Sequence, residues 1–146
     1  MKIKETPMAN TGIKGKKAMR LTAETMEAGM TEFKSARDST TELNGEVDWT
    51  NWGSYDYEKM DQEKDDVIVW VAGSLKNVFN DLVELCEDED FKEELQKITT
   101  IAVSGQEEIG TYHIDFSLDG TTLLVCMNAD AISSTQNKDR LKAVWE

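Results

Sequence analysis

The apolar residues of this chain change their period once, near residue 97, and that change limits the fold more than any other feature of the sequence. Before it they recur in steps of three and four, the spacing of a helix face; after it they alternate, as on a strand with one buried side. Met19, Ala23, Met26, Met30 and Phe33 form one helical stripe. Tyr57, Met60, Lys64, Val67, Val71, Ser74, Val78, Leu82 and Leu85 hold the phase of a second. Asn44-Gly45 offers a stop for the first helix, because both residues tolerate a left-handed turn. Ser54 offers a cap for the second, with Asp56 and Glu58 well placed for its N-terminal dipole.

Residues 67–72 lie in "DVIVWVAGS", where β-branched and aromatic residues also suit a short buried strand. The helical phase survives the run, so one long helix is the preferred reading. A short helical segment carrying Phe91 and Leu95 follows. Then "ITTIAVS", "GTYHIDFSL" and "TTLLVCMN" read as three strands. Asp119-Gly120 sits between the last two as a two-residue hairpin turn. That turn sets Leu118 opposite Thr121, Phe116 opposite Leu123, Ile114 opposite Val125 and Tyr112 opposite Met127, all on one buried face. A terminal helix from about residue 135 turns Leu141, Val144 and Trp145 inward.

The expected class is therefore α+β: a long helical hairpin, a three-stranded antiparallel meander and a C-terminal helix, with the helices covering one face of the sheet. Residues 1–17, basic and glycine-punctuated, read as a mobile tail. Residues 18–146 read as a single domain, with 18–97 mainly helical, 98–130 the meander and 135–146 the last helix. A length of 146 residues suits one core of its own. The methionines at 19, 26 and 30 suit either that core or the seam of a homodimer.

Charge is distributed unevenly. Residues 1–20 carry six basic side chains against Glu5, whereas residues 21–146 carry 10 basic and 28 acidic ones. Such a body repels nucleic acid and anionic membranes and steers a basic partner toward itself. No apolar segment follows the basic N-terminus as in a secretory signal, and the longest apolar run is far too short to cross a bilayer. Cys86 and Cys126 have no metal-ligand spacing. A reducing cytoplasm, with both as thiols, is the expected location.

Two groupings are candidates for function. In "GEVDWTNWGSYDYEKMD", Trp49, Trp52 and Tyr55 belong to neither helical stripe and sit among Asp48, Asp56, Glu58 and Asp61. Rings set among carboxylates are what an interaction hot spot looks like, area from one and on-rate from the other. The second grouping follows from the hairpin, which places His113 opposite Cys126 with Asp115 two residues along. Imidazole, thiol and carboxylate are the ingredients of nucleophilic catalysis or of a small-ligand pocket. A thiol in the middle of a strand of an acidic protein lacks the electropositive setting that activates one.

The acidic runs "MDQEKDD" and "CEDEDFKEE" lack EF-hand spacing, so no metal is expected. Glycine-rich phosphate loops, GxSxG and HExxH are all absent from the sequence, and no cofactor is expected. The order of helix, three strands and helix resembles the double-stranded-RNA-binding domains. That family holds phosphates with a lysine ridge at the start of its last helix. Here Lys138, Arg140 and Lys142 alternate around the helix and Asp139 interrupts them, so direct binding to nucleic acid is not expected. What remains is a non-catalytic acidic module of the inhibitor, immunity or anti-defence kind. Its expected partner is a basic protein such as a nuclease, met by a display of carboxylates resembling a duplex. The competing expectation is a ligand pocket or enzyme built on His113, Asp115 and Cys126.

Overall fold

In the computed structural model, which describes residues 2–8, 11–130 and 137–146, the chain is mixed α and β around one five-stranded sheet. Strand β1 is Ile3–Thr6, helix α1 is Ile13–Ala36 and strand β2 is Asn44–Asp48. A short helix α2, Thr50–Ser54, and one turn of 3-10 helix at Tyr57–Lys59 lead to α3, Lys64–Leu85. After α4, Glu89–Leu95, come β3, Thr100–Gly105, β4, Asp115–Asp119, and β5, Thr122–Met127. Helix α5, Lys138–Ala143, follows. The strand order is β1-β2-β3-β5-β4, with every pairing parallel except β4 with β5.

Two helical expectations agree with this arrangement. Helix α3 runs unbroken through residues 67–72, and the phase read from sequence is its buried face: Val67, Val71, Ser74, Val78, Leu82 and Leu85. Met26, Met30 and Phe33 of α1 are fully buried, so the methionine stripe belongs to the core. The start of α3 differs, because Ser54 ends α2 instead of capping α3. Asp65 and Asp66 fill the first turn of α3, where its dipole favours negative charge.

The helical hairpin and the antiparallel meander are corrected. Helices α1 and α3 do pack on each other, but β2 lies between them in sequence, so each is the crossover of a β-α-β unit. Parallel neighbours joined by crossovers of one hand place both helices on the same side of the sheet. Strand β3 pairs parallel with β5 and not with β4. This also removes the topological likeness to RNA-binding domains.

The expected basic tail is structured over much of its length. Ile3–Thr6 is the edge strand beside β2, and α1 begins at Ile13; Met1, Ala9 and Asn10 lie outside the described residues. Lys14 reaches Asp66 at the start of α3, placing the basic end of α1 beside the acidic end of its neighbour. The last helix is shorter than expected, and residues 135 and 136 of the expected range lie outside the described residues.

Around the hairpin the register moves but the faces do not. Asp119 pairs with Thr122, so the two-residue loop is Gly120-Thr121, with Gly120 at a φ of 61°. Phe116 therefore faces Val125 instead of Leu123, a shift of two residues that returns every side chain to the same side. Leu123, Val125, Met127 and Ile114 are buried as expected, whereas Tyr112 precedes β4 and is exposed, and Leu118 is partly so.

Close approach on the helical side depends on missing side chains. A Cβ at Gly45 would meet Met26 Cε at 2.9 Å and Met30 Sδ at 3.0 Å. One at Gly29 would lie 2.3 Å from Cδ2 of Phe79, where α1 and α3 touch. Gly73, on the outer face of α3, has open space in its place. Gly29→Ala should therefore lower unfolding free energy by about 1–3 kcal/mol through overpacking. Gly73→Ala should raise it by about 0.5–1 kcal/mol by removing a helix-interior glycine. Urea denaturation of the two variants checks the opposite signs.

Candidate functional site

The parallel strands β2 and β3 end on one rim of the sheet, and both sequence-derived groupings gather there. In an open α/β sheet this carboxyl end is the usual place for ligands. Immediately after β2 the chain turns into α2, with the Asp48 carboxylate accepting from Thr50 N at 2.9 Å. This fold-back carries the aromatic segment over the end of β3. Asn51 Nδ2 donates to Gly105 O at 2.7 Å, Tyr55 donates its hydroxyl hydrogen to Gln106 O, and Tyr57 donates to Trp52 O.

Trp49 and Trp52 consequently lie fully inside, their ring centroids 5.1 Å apart, and Tyr55 is buried with them. Gly105 is the floor beneath: a Cβ there would sit 3.1 Å from the Trp52 ring and 2.7 Å from Tyr55 Oη. The aromatic half of the expected contact face is thus a core element, and this is a correction. Burying a ring of this size stabilises by roughly 4–6 kcal/mol in area terms. An exposed ionic contact contributes about 0.2–1 kcal/mol, so water exclusion decides where the rings go. Asp48, Asp56, Glu58 and Asp61 remain at the surface without them.

The second grouping comes together differently from its expectation. His113 Nε2 lies 3.0 Å from Asp115 Oδ1, a half-exposed pair just before and within β4. The register puts Asp115, not His113, opposite Cys126 on β4, and Ser104 beside Cys126 on β3. Gln106 ties these parts together. Its Nε2 donates to His113 O and Asp115 Oδ2, both at 3.1 Å, and to Cys126 O at 3.3 Å. Gln106 escaped the sequence reading because a lone glutamine in "SGQEEIG" has no periodic or motif signal.

The electrostatics oppose a thiolate at both cysteines. Burial, followed by the carboxylates of Asp115 and Glu107, holds the Cys126 thiol above its ordinary range, with only the Ser104 hydrogen bond acting the other way. Cys86, buried at the C-terminal cap of α3, is pushed up to about 11, chiefly by burial. Burial likewise raises Tyr55 and takes Tyr57 to about 12. Among the described residues no group of three or more His, Cys, Asp and Glu side chains is arranged to hold a metal ion. No described helix is long and apolar enough to cross a membrane.

The other side of the sheet forms the floor of a second candidate surface. Register places Lys4, Glu46, Ala102, Leu124 and Ser117 in one row across all five strands. Thr6, Asp48, Ser104, Cys126 and Asp115 form the next row toward the rim. A groove of about 280 Å³ crosses the β1, β2 and β3 part of this face, with Leu124 of β5 at its far side. No protein-family model, no curated protein and no solved structure matches the chain.

Trp52→Ala should lower unfolding free energy by about 3–5 kcal/mol, as expected for emptying a buried ring site, and urea denaturation checks it. The raised thiols and phenols give a second expectation. In the unfolded chain these groups ionise from their ordinary values of 9.0 and 10.0, whereas the fold keeps them protonated to higher pH. Their contribution is complete below pH 9 and is lost as the pH climbs toward 11 and 12, so the urea midpoint should fall steadily above pH 9. Cys86→Ala should make that fall shallower.

Proposed function

We propose that this protein is a non-catalytic acidic interaction module that occupies a basic, nucleic-acid-handling protein, in the manner of an inhibitor, immunity or anti-defence factor. The supporting observation is how the chain uses its own cations. Arg37 is buried, its guanidinium donating to the carbonyls of Leu95, Ile98 and Thr41. Lys14, Lys59, Lys92, Lys97 and Lys138 each hold a carboxylate of the same chain. With a net charge of −13, the large acidic surplus is left to recruit cations from outside. Exposed acids lie along α1 at Glu24, Glu27 and Glu32, around α4 at Glu87, Asp88, Glu89, Asp90 and Glu93, and on the rim at Asp48, Asp56, Glu58 and Asp61. Rows of this kind compete for a surface built to neutralise phosphates.

A catalytic or ligand-binding role for His113, Asp115 and Cys126 is the weaker reading, because burial and nearby carboxylates raise the thiol and the register sets it opposite Asp115 instead of the imidazole. The test begins with affinity capture of a partner from the native host, followed by titration calorimetry with the purified pair. The dissociation constant should rise at least tenfold between 50 and 200 mM salt, in keeping with several contacts that release counterions. Replacing Asp56, Glu58 and Asp61 by their amides should weaken binding several-fold, while His113→Ala leaves it unchanged. Binding indifferent to salt and abolished by His113→Ala would reverse the ranking of the two readings.

A further inference from the structure

We infer that the uncovered face of the sheet is the docking surface for a basic segment of the partner, with Glu46 and Asp48 as its anion pair and Leu124 as its apolar floor. This assignment rests on the acidic-module reading above and names the surface that reading needs. Both long helices lie on the other side, where Gly45, Val47, Ile101, Val103, Leu123 and Val125 are buried. On the open side the same strands show Glu46 and Asp48 exposed, Ala102 and Ser104 half-buried, and Leu124 37 % exposed.

Charge selects the occupant. Across the five strands this face carries the carboxylates of Glu46, Asp48, Asp115 and Asp119 against the ammonium of Lys4, with exposed Lys2 just before β1. A second copy of the chain would bring like charge onto like charge, and a nucleic acid or an anionic membrane would do the same. A basic segment instead meets carboxylates on either side of a small apolar strip. Ala102 and Leu124 are directly paired across β3 and β5, in the same row as Glu46. Rows on a sheet are about 7 Å apart along each strand, which suits a peptide whose alternate side chains point into the groove. Threonine and serine at positions 6 and 104 leave room for long lysine or arginine stems.

Isotope-labelled full chain titrated with a synthetic (Lys-Val)4 peptide at low salt provides the test, followed by NMR of backbone amides. Amide shifts should concentrate on residues 46–48, 102–104 and 124. Glu46→Lys together with Asp48→Asn should weaken the peptide at least tenfold. The asparagine keeps a side-chain oxygen for Thr50 N, and an unchanged melting temperature confirms that these variants fold. Glu24→Lys with Glu27→Lys on α1, acids of the same module that lie off this face, should weaken the peptide several-fold less than that pair does. If the peptide binds but its shifts and charge-reversal losses map to α1 or α4, the docking face is wrong while the acidic module stands. If no binding occurs at low salt, the acidic-module reading falls and this assignment with it. Concentration-dependent shifts on the same strands without peptide would show that a second copy occupies the face, which also overturns the proposal.

Discussion

One-sided burial of the sheet is the constraint from which the other features follow. Strands β1, β2 and β3 are consecutive, parallel and joined by crossovers, so α1 and α3 fall on the same side and pack on each other there. A parallel sheet covered on both faces would need strands that are apolar at nearly every position. These strands alternate instead, with Gly45 and Val47 inward and Glu46 and Asp48 outward. The same alternation fills the helical side and leaves carboxylates and hydroxyls for water.

A buried guanidinium ties the far end of this arrangement. Arg37 follows α1 and is inaccessible to solvent, a costly position for a charge unless carbonyls surround it. Its NH1 donates to Leu95 O at 2.9 Å and Ile98 O at 2.7 Å, beside the negative end of α4, and its NH2 donates to Thr41 O at 2.8 Å. Gln96 donates back to Arg37 O, and Lys92 bonds Asp38, whose φ of 50° turns the chain out of the helix. The exit of α1 and the entry to β3 are thereby held together, which in turn sets β2 beside β3. A lone arginine just past a helical stripe gives no sign of this in sequence, because the carbonyls that its NH1 holds are about sixty residues away.

Legibility varied with how local each signal was. The long helix through "DVIVWVAGS" could be read because its phase persists on both sides of the β-branched run. The hairpin of β4 and β5 could be read from Asp119-Gly120, and the one-step error in the turn preserved every face. Strands β1 and β2 could not be read. "IKET" exposes all but its first residue, "NGEVD" has Val47 as its one large buried side chain, and both are too short for a period of two to stand out. The rings of Trp49, Trp52 and Tyr55 were placed at the surface because they match neither helical stripe. They are buried because a strand that no periodicity revealed ends just before them and turns them onto β3.

The sequence alone therefore determined the segment types with strong periods, the inward and outward sides of the hairpin, and the acidic surplus, since each depends on backbone geometry over a few residues or on composition. Strand order, the parallel pairing of β3 with β5, the burial of the aromatic segment and the choice of uncovered face were decided by tertiary structure. Each of these depends on which distant segments pair, and that is settled by total burial across the sheet, a quantity no single stretch of the chain carries.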